Sequence, residues 1–166
     1  MTQHFCQSID RPLNATAVLP GSKSITNRAL IAAALADGHS LLRNILLAED
    51  TWLMIEAIKA LGIAITVDDQ ECVAEVTGIC GFVPEEEATL FCGNSGTTMR
   101  FCTALCALGQ GRFELDGIAR MRERPIGPLI NGLQQLGGAI EYLAAEGFPP
   151  LVVHGRGLRG GEVDIE

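Results

Sequence analysis

Lysine is almost missing from this chain: Lys23 and Lys59 are the only two, against ten arginines, twenty acidic residues and a formal net charge of -8 in 166 residues. That balance argues against a nucleic-acid partner, because counterion release needs a surplus of cations gathered on one face. Aromatic residues are few, at 5%. The three histidines, His4, His39 and His154, stand apart with no acid or thiol at ligand spacing, so no metal is expected. The longest unbroken apolar run, Ala29–Ala36, has eight residues where a membrane span needs roughly 20, so no membrane association is expected. Met1–Asp10 lacks the basic start and apolar stretch of a secretory leader, which makes the cytoplasm the expected compartment. None of the six cysteines forms a C-x-x-C pair, and they read as small buried hydrophobes.

What the chain does have is an apolar fraction of 48% in a length that can bury a core unaided, which excludes disorder. It also has an internal repeat. Leu13–Leu19 reads as a strand, followed by the Pro20-Gly21-Ser22 turn, a helix from about Lys23 to Ala36, a strand at Ser40–Ile45, a helix at Asp50–Leu61 and strands at Ala64–Val67 and Cys72–Thr77. The same order returns as a strand at Leu90–Cys92, the Gly93–Gly96 turn, a helix at Thr97–Ala107, a strand at Arg112–Asp116, a helix at Pro125–Leu136 and a pair of strands at Ala139–Leu143 and Leu151–His154. Gly21, Ser24 and Arg28 fall 72 residues before Gly93, Gly96 and Arg100, and the offset drifts to 77 at Gly78 and Gly155. The expected fold is therefore α/β and built from repeated βαβαββ units, one at about 13–78 and one at about 88–155, with the start of a third at 156–166 ending in a strand from Glu162. A chain that stops inside a third unit reads as part of a larger protein.

Chemistry is expected at the two strand-to-helix turns. Pro20-Gly21-Ser22-Lys23-Ser24 combines a tight turn, hydroxyls for capping and a lysine at a helix start, where unpaired N–H groups and the helix dipole favour a phosphate or carboxylate. Arg28 lies one helical turn beyond Ser24, on its face. A nucleotide P-loop is excluded, since Ser22 occupies the glycine position directly before the lysine. Gly93-Asn94-Ser95-Gly96-Thr97-Thr98 repeats the arrangement with an Asn or Ser cap. Arg120, Arg122 and Arg124 cluster ahead of Pro125, which is expected in the first turn of the next helix with Arg124 at its mouth, able to grip an anion bidentately. A capped helix with a surface lysine, and a solvated arginine loop offset by Glu123, are the structural alternatives. Glu85-Glu86-Glu87 reads as a solvated loop.

Leu19–Ser24 with Asn27-Arg28, Gly93–Thr97 with Met99-Arg100, and Arg120-Met121 with Arg124-Pro125-Ile126 resemble, in order, the signature segments of the enolpyruvylshikimate-phosphate synthases (3-phosphoshikimate 1-carboxyvinyltransferases). The resemblance runs from about Leu13 to the end of the chain. It implies the enolpyruvyl transferase fold, an inside-out α/β barrel of six βαβαββ units in two domains, and implies that this chain is the N-terminal portion. It further implies transfer of an enolpyruvyl group from phosphoenolpyruvate to the 5-hydroxyl of shikimate 3-phosphate, with release of phosphate, on the route to chorismate and the aromatic amino acids. No cofactor is implied.

By motif position, Lys23, Ser24 and Arg28 would bind shikimate 3-phosphate, while Lys23, Asn94, Gly96 and Arg124 would face phosphoenolpyruvate. Lys23 and Arg124 would act electrostatically, and the acid and base would lie in the missing C-terminal half, the expected partner of this chain, which alone is expected to be inactive. The UDP-N-acetylglucosamine enolpyruvyl transferases share the fold but typically carry Lys-Asn where Lys23-Ser24 stands, and a cysteine-bearing loop where Gly117–Arg124 has none. A relative of that family and a non-catalytic anion-binding module of the same fold are the alternatives. Gly96 is the small residue associated in the family with room for glyphosate, so sensitivity of the complete enzyme is expected, although Phe101 stands where many members carry proline.

Overall fold

The computed structural model describes Phe5, Ser8, Asp10 and residues 12–164. Ser22 caps the first helix, α1 (Lys23–Leu35), by accepting from the Ile25 N–H at 3.5 Å. The alanine-rich body of α1 has high helical propensity, and its buried face carries Leu30, Ala33 and Ala34. Strand β1 (Asp37–Arg43) leads to α2 (Glu49–Ala60), whose first turn holds Glu49 and Asp50, acids that complement the helix dipole. Strands β2 (Ile65–Asp68) and β3 (Val73–Ile79) complete an antiparallel sheet of order β1-β3-β2.

The second sheet contains one strand more. Strand β4 (Glu87–Phe91) runs into α3 (Gly96–Leu108), capped by Ser95, which accepts from the Thr98 N–H at 3.3 Å. Strand β5 (Gln110–Asp116), a short 3-10 turn at Met121–Glu123, α4 (Gly127–Gln135), β6 (Ala139–Tyr142) and β7 (Leu151–Arg156) follow. The order is β4-β5-β7-β6, with β4 parallel to β5 and the other pairs antiparallel. The two sheets match in register: Gly38 faces Gly78 across β1 and β3, and Gly111 faces Gly155 across β5 and β7.

One core joins both sheets through α1, α2 and α3. Phe113, Leu30, Met54, Ile55, Ile58 and Leu90 are all fully buried in it. Burial of each such side chain contributes about 1.5–3 kcal/mol. The core is also sulfur-rich: Cys92, Cys102 and Cys106 are buried, with Cys102 Sγ 3.9 Å from Met54 Sδ. Burial pushes the Cys92 thiol up to about 12, helped by the Asp116 charge, and raises Cys102 and Cys106 as well. Cys80 is exposed and Cys72 half-buried, so the expectation of buried cysteines fails for these two, and Cys6 lies outside the described residues.

Other expectations need correction. Residues 13–19 form no strand: Leu13, Val18 and Leu19 are 72%, 93% and 76% exposed. Their alternation suits a sheet, but β1, the edge that matches β5, is paired only with β3, and a strand without a ladder does not persist. Through Asp164 there is likewise no strand at the expected start of a third unit; the Asp164 backbone is instead pinned to the Gln135 carboxamide by two bonds of 3.0 Å. Pro125 precedes α4, and it is Pro128 that stands in its first turn, so Arg124 is not at the mouth of that helix. Among the described residues no helix is long and apolar enough to cross a membrane.

Candidate functional site

The parallel β4-α3-β5 unit sets the site. In such units ligands bind beyond the carboxyl ends of neighbouring parallel strands, here the 92–96 turn after β4 and the 117–124 loop after β5. The two segments are laced together: the Cys92 N–H donates to the Asp116 carbonyl at 2.7 Å and the Ile118 N–H to the Gly93 carbonyl at 3.0 Å. Arg122 closes the lacing with two bonds to the Asp116 carboxylate, one of them 2.9 Å from Nε. Arg124 is thereby carried over the start of α3, where its Nη1 donates to the Asn94 carbonyl at 2.9 Å. Gly96 makes this approach possible, since a Cβ there would stand 2.6 Å from Arg124 Nη2. One helical turn further along α3, Arg100 Nη2 reaches the Pro125 carbonyl at 2.7 Å and fixes the exit of the loop.

The starts of α1 and α2 meet the start of α3. Lys23 Nζ lies 3.0 Å from Asp50 Oδ2, and Thr98 Oγ1 donates to the Asp50 carbonyl at 3.3 Å while touching the Ser95 hydroxyl at 2.8 Å. Asp50 thus ties the first turns of three helices into one cluster. The α1 start is seated from below by close backbone approach: a Cβ on Gly21 would fall 2.2 Å from the Asn44 carbonyl, and Thr26 Oγ1 accepts from the Leu46 N–H at 3.0 Å. Arg28 folds back along α1, donating from Nη1 to the Ser24 carbonyl at 2.8 Å, with its guanidinium 5.6 Å from the centre of the Phe101 ring.

Of the residues expected from sequence, Lys23, Ser24 and Arg28 lie together at the first turns of α1, and Asn94, Gly96 and Arg124 at the start of α3. The Lys23–Asp50–Thr98 chain of contacts connects the two groups. Sequence reasoning missed Asp50, Asp116 and the ties made by Arg100 and Arg122. Asp50 carried only the weak signal of an acid in a helix's first turn. In chemical terms the cluster offers three helix N-termini, a lysine and an arginine on one rim, an arrangement suited to a ligand with more than one anionic group.

The Asp116–Arg122 pair gives the loop a pH signature. The Arg122 guanidinium hydrogen-bonded to it holds the Asp116 carboxyl below its ordinary value. A carboxyl lowered on folding contributes stability above the unfolded value of about 3.9 and loses it as pH falls through the folded one. Asp116→Asn should therefore lower the thermal midpoint of the full-length protein near neutrality, with the gap to wild type closing as the pH is taken below about 4. A gap of constant size down to pH 3 would mean that the carboxylate charge is not what holds the loop.

Comparison with known proteins identifies the family. The family model for EPSP synthase (3-phosphoshikimate 1-carboxyvinyltransferase) matches residues 8–166. A 3-phosphoshikimate 1-carboxyvinyltransferase of Shewanella piezotolerans is 47% identical over 166 residues, covering 99% of this chain and 39% of the relative. One from Aliivibrio fischeri is 50% identical over 169 residues, covering 100% and 38%. The solved structure of EPSP synthase from Acinetobacter baumannii superposes with a TM-score of 0.81 at 25% identity, covering 90% of this chain and 34% of that one. The chain thus spans well under half the length of these relatives.

Proposed function

Because the chain belongs to the EPSP synthase family, with the fold of its solved members, we propose that the protein containing it transfers the enolpyruvyl group of phosphoenolpyruvate to the 5-hydroxyl of shikimate 3-phosphate. The observation that carries this reading is the convergence of the α1, α2 and α3 starts on Lys23 and Asp50, with Arg124 laid across the third. Lys23, Ser24 and Arg28 are assigned to shikimate 3-phosphate. Lys23, Asn94, Gly96 and Arg124 are assigned to phosphoenolpyruvate.

In the reaction the acceptor hydroxyl gives up its proton as its oxygen bonds to the central enol carbon, while the methylene carbon gains a proton, giving a tetrahedral intermediate that still carries carboxylate and phosphate. The carbon–oxygen bond to phosphate then breaks, a methyl proton leaves, and the enol ether remains. Negative charge gathers on the departing phosphate, and that charge is what this half of the site addresses. A cation about 4 Å away contributes roughly 4 kcal/mol at an effective dielectric constant near 20, whereas a helix terminus contributes about 0.3–1 kcal/mol. Lys23 and Arg124 therefore dominate the stabilisation, and the helix starts orient the anions. Proton transfer is assigned to groups outside this chain.

The test is phosphate release by the full-length gene product supplied with both substrates. Release that requires shikimate 3-phosphate is the expected result. Release only with UDP-N-acetylglucosamine would reassign the acceptor, and binding of both anions without turnover would leave a non-catalytic module.

A further inference from the structure

Arg28 is the one substrate-assigned side chain in the cluster held by an aromatic ring. Its guanidinium lies 5.6 Å from the Phe101 ring centre, within the range of a cation–π contact. The ring is seated on the core along one side. Phe101 is half-buried and packs against the core, where with Ile31, Leu35, Ala104, Leu105 and Leu108 it lines an apolar groove of about 180 Å³ between α1 and α3. The guanidinium thus has two partners, the Ser24 carbonyl at 2.8 Å and the ring that α3 carries.

We infer that Phe101 is a positioning residue that holds the Arg28 guanidinium ready for the shikimate 3-phosphate anion, and so sets affinity for that ligand in particular. This rests on the function proposed above. An exposed arginine has rotamer freedom to lose on binding, so a side chain already held in place binds an anion at a smaller cost. One of its five N–H donors is taken by Ser24, and the others stay available. Arg124, laid over Gly96, has no such ring beneath it among its described contacts, so the second anion should not sense Phe101.

The experiment is equilibrium titration of the full-length protein with shikimate 3-phosphate and, separately, with phosphoenolpyruvate, for wild type, Phe101→Leu, Phe101→Trp, Arg28→Ala and the Phe101→Leu/Arg28→Ala double variant, with thermal midpoints alongside. Leucine keeps the apolar packing and removes the ring face, whereas tryptophan has the stronger face. Phe101→Leu is expected to weaken shikimate 3-phosphate binding about two- to five-fold and Phe101→Trp to match or exceed wild type. In the Arg28→Ala background Phe101→Leu should add nothing. Phosphoenolpyruvate, assigned to Arg124 and not to Arg28, serves as the reference and should change by less than twofold.

Equal weakening of both ligands, or a Phe101→Leu loss that persists without Arg28, would make the role one of packing and overturn the inference. Wild-type affinity in Phe101→Leu would overturn it too. If wild type binds phosphoenolpyruvate but not shikimate 3-phosphate, it is the proposed acceptor that fails, and this inference fails with it.

Discussion

Replacing Lys23 with alanine is expected to lower kcat/KM of the full-length protein by about two to three orders of magnitude while moving its thermal midpoint hardly at all. The two halves of that expectation have different causes. In the resting structure Lys23 makes an ion pair with Asp50, but its side chain is 48% exposed, and pairs so open to water contribute only about 0–1 kcal/mol. In the reaction it stands where the anions gather charge, and loss of one preorganised donor there costs about a hundred- to a thousand-fold. Within this chain the other lysine, Lys59, lies at the far end of α2, paired with Glu56. Lys23→Arg should restore little, because a planar fork cannot keep the single-point contact with Asp50 Oδ2 and meet the same anion. Steady-state kinetics with a parallel thermal melt decide it: a folded Lys23→Ala protein within tenfold of wild type would remove lysine from the machinery.

The largest structural effect is expected at Gly111. Its φ of +141° is a backbone conformation that side chains rarely adopt, and an added Cβ would stand 1.9 Å from the Glu86 carbonyl oxygen. The obstacle is main chain, held by the Arg112 N–H bond to that same carbonyl at 2.8 Å, so it cannot swing aside. Strain of about 1–3 kcal/mol combines with an overpacking cost of similar size, and Gly111→Ala should lose about 3 kcal/mol or more. Its register counterpart Gly38 is the control: φ is +94°, yet nothing lies within 4 Å of the added carbon. Gly38→Ala should cost the strain alone, about 1 kcal/mol. Urea unfolding of the two variants measures the difference, and equal losses would mean that the β4–β5 approach is not the tight joint it is taken to be.

These two residues also mark what the sequence makes legible. Lys23 could be found by eye because the signals that mark it are local: a glycine turn, a serine cap at Ser22 and a helix that starts at the next residue. The α3 start was as readable, for the same reason, with Ser95 as its cap. Reading failed where the deciding partner lies far along the chain. The alternation in Leu13–Leu19 suits a strand, but strandhood depends on an edge to pair with. Pro125 pointed to a helix start locally, whereas the position of Arg124 is governed by bonds joining residues 92 and 93 to 116 and 118. Asp50, 27 residues after Lys23, and Asp116, paired with Arg122, belong to the site through tertiary geometry that no spacing rule contains.

The sulfur-rich core has a consequence for how the protein ages. A thiol pushed up to about 12 is almost wholly protonated at neutral pH, and Cys92 sits directly before the turn that carries Asn94 and Gly96. Oxidants and electrophiles attack the thiolate, so Cys92, Cys102 and Cys106 are chemically silent for as long as the fold stays shut. Damage at those three positions is therefore a record of how often the core has opened, while damage at exposed Cys80 records only what the solvent contained.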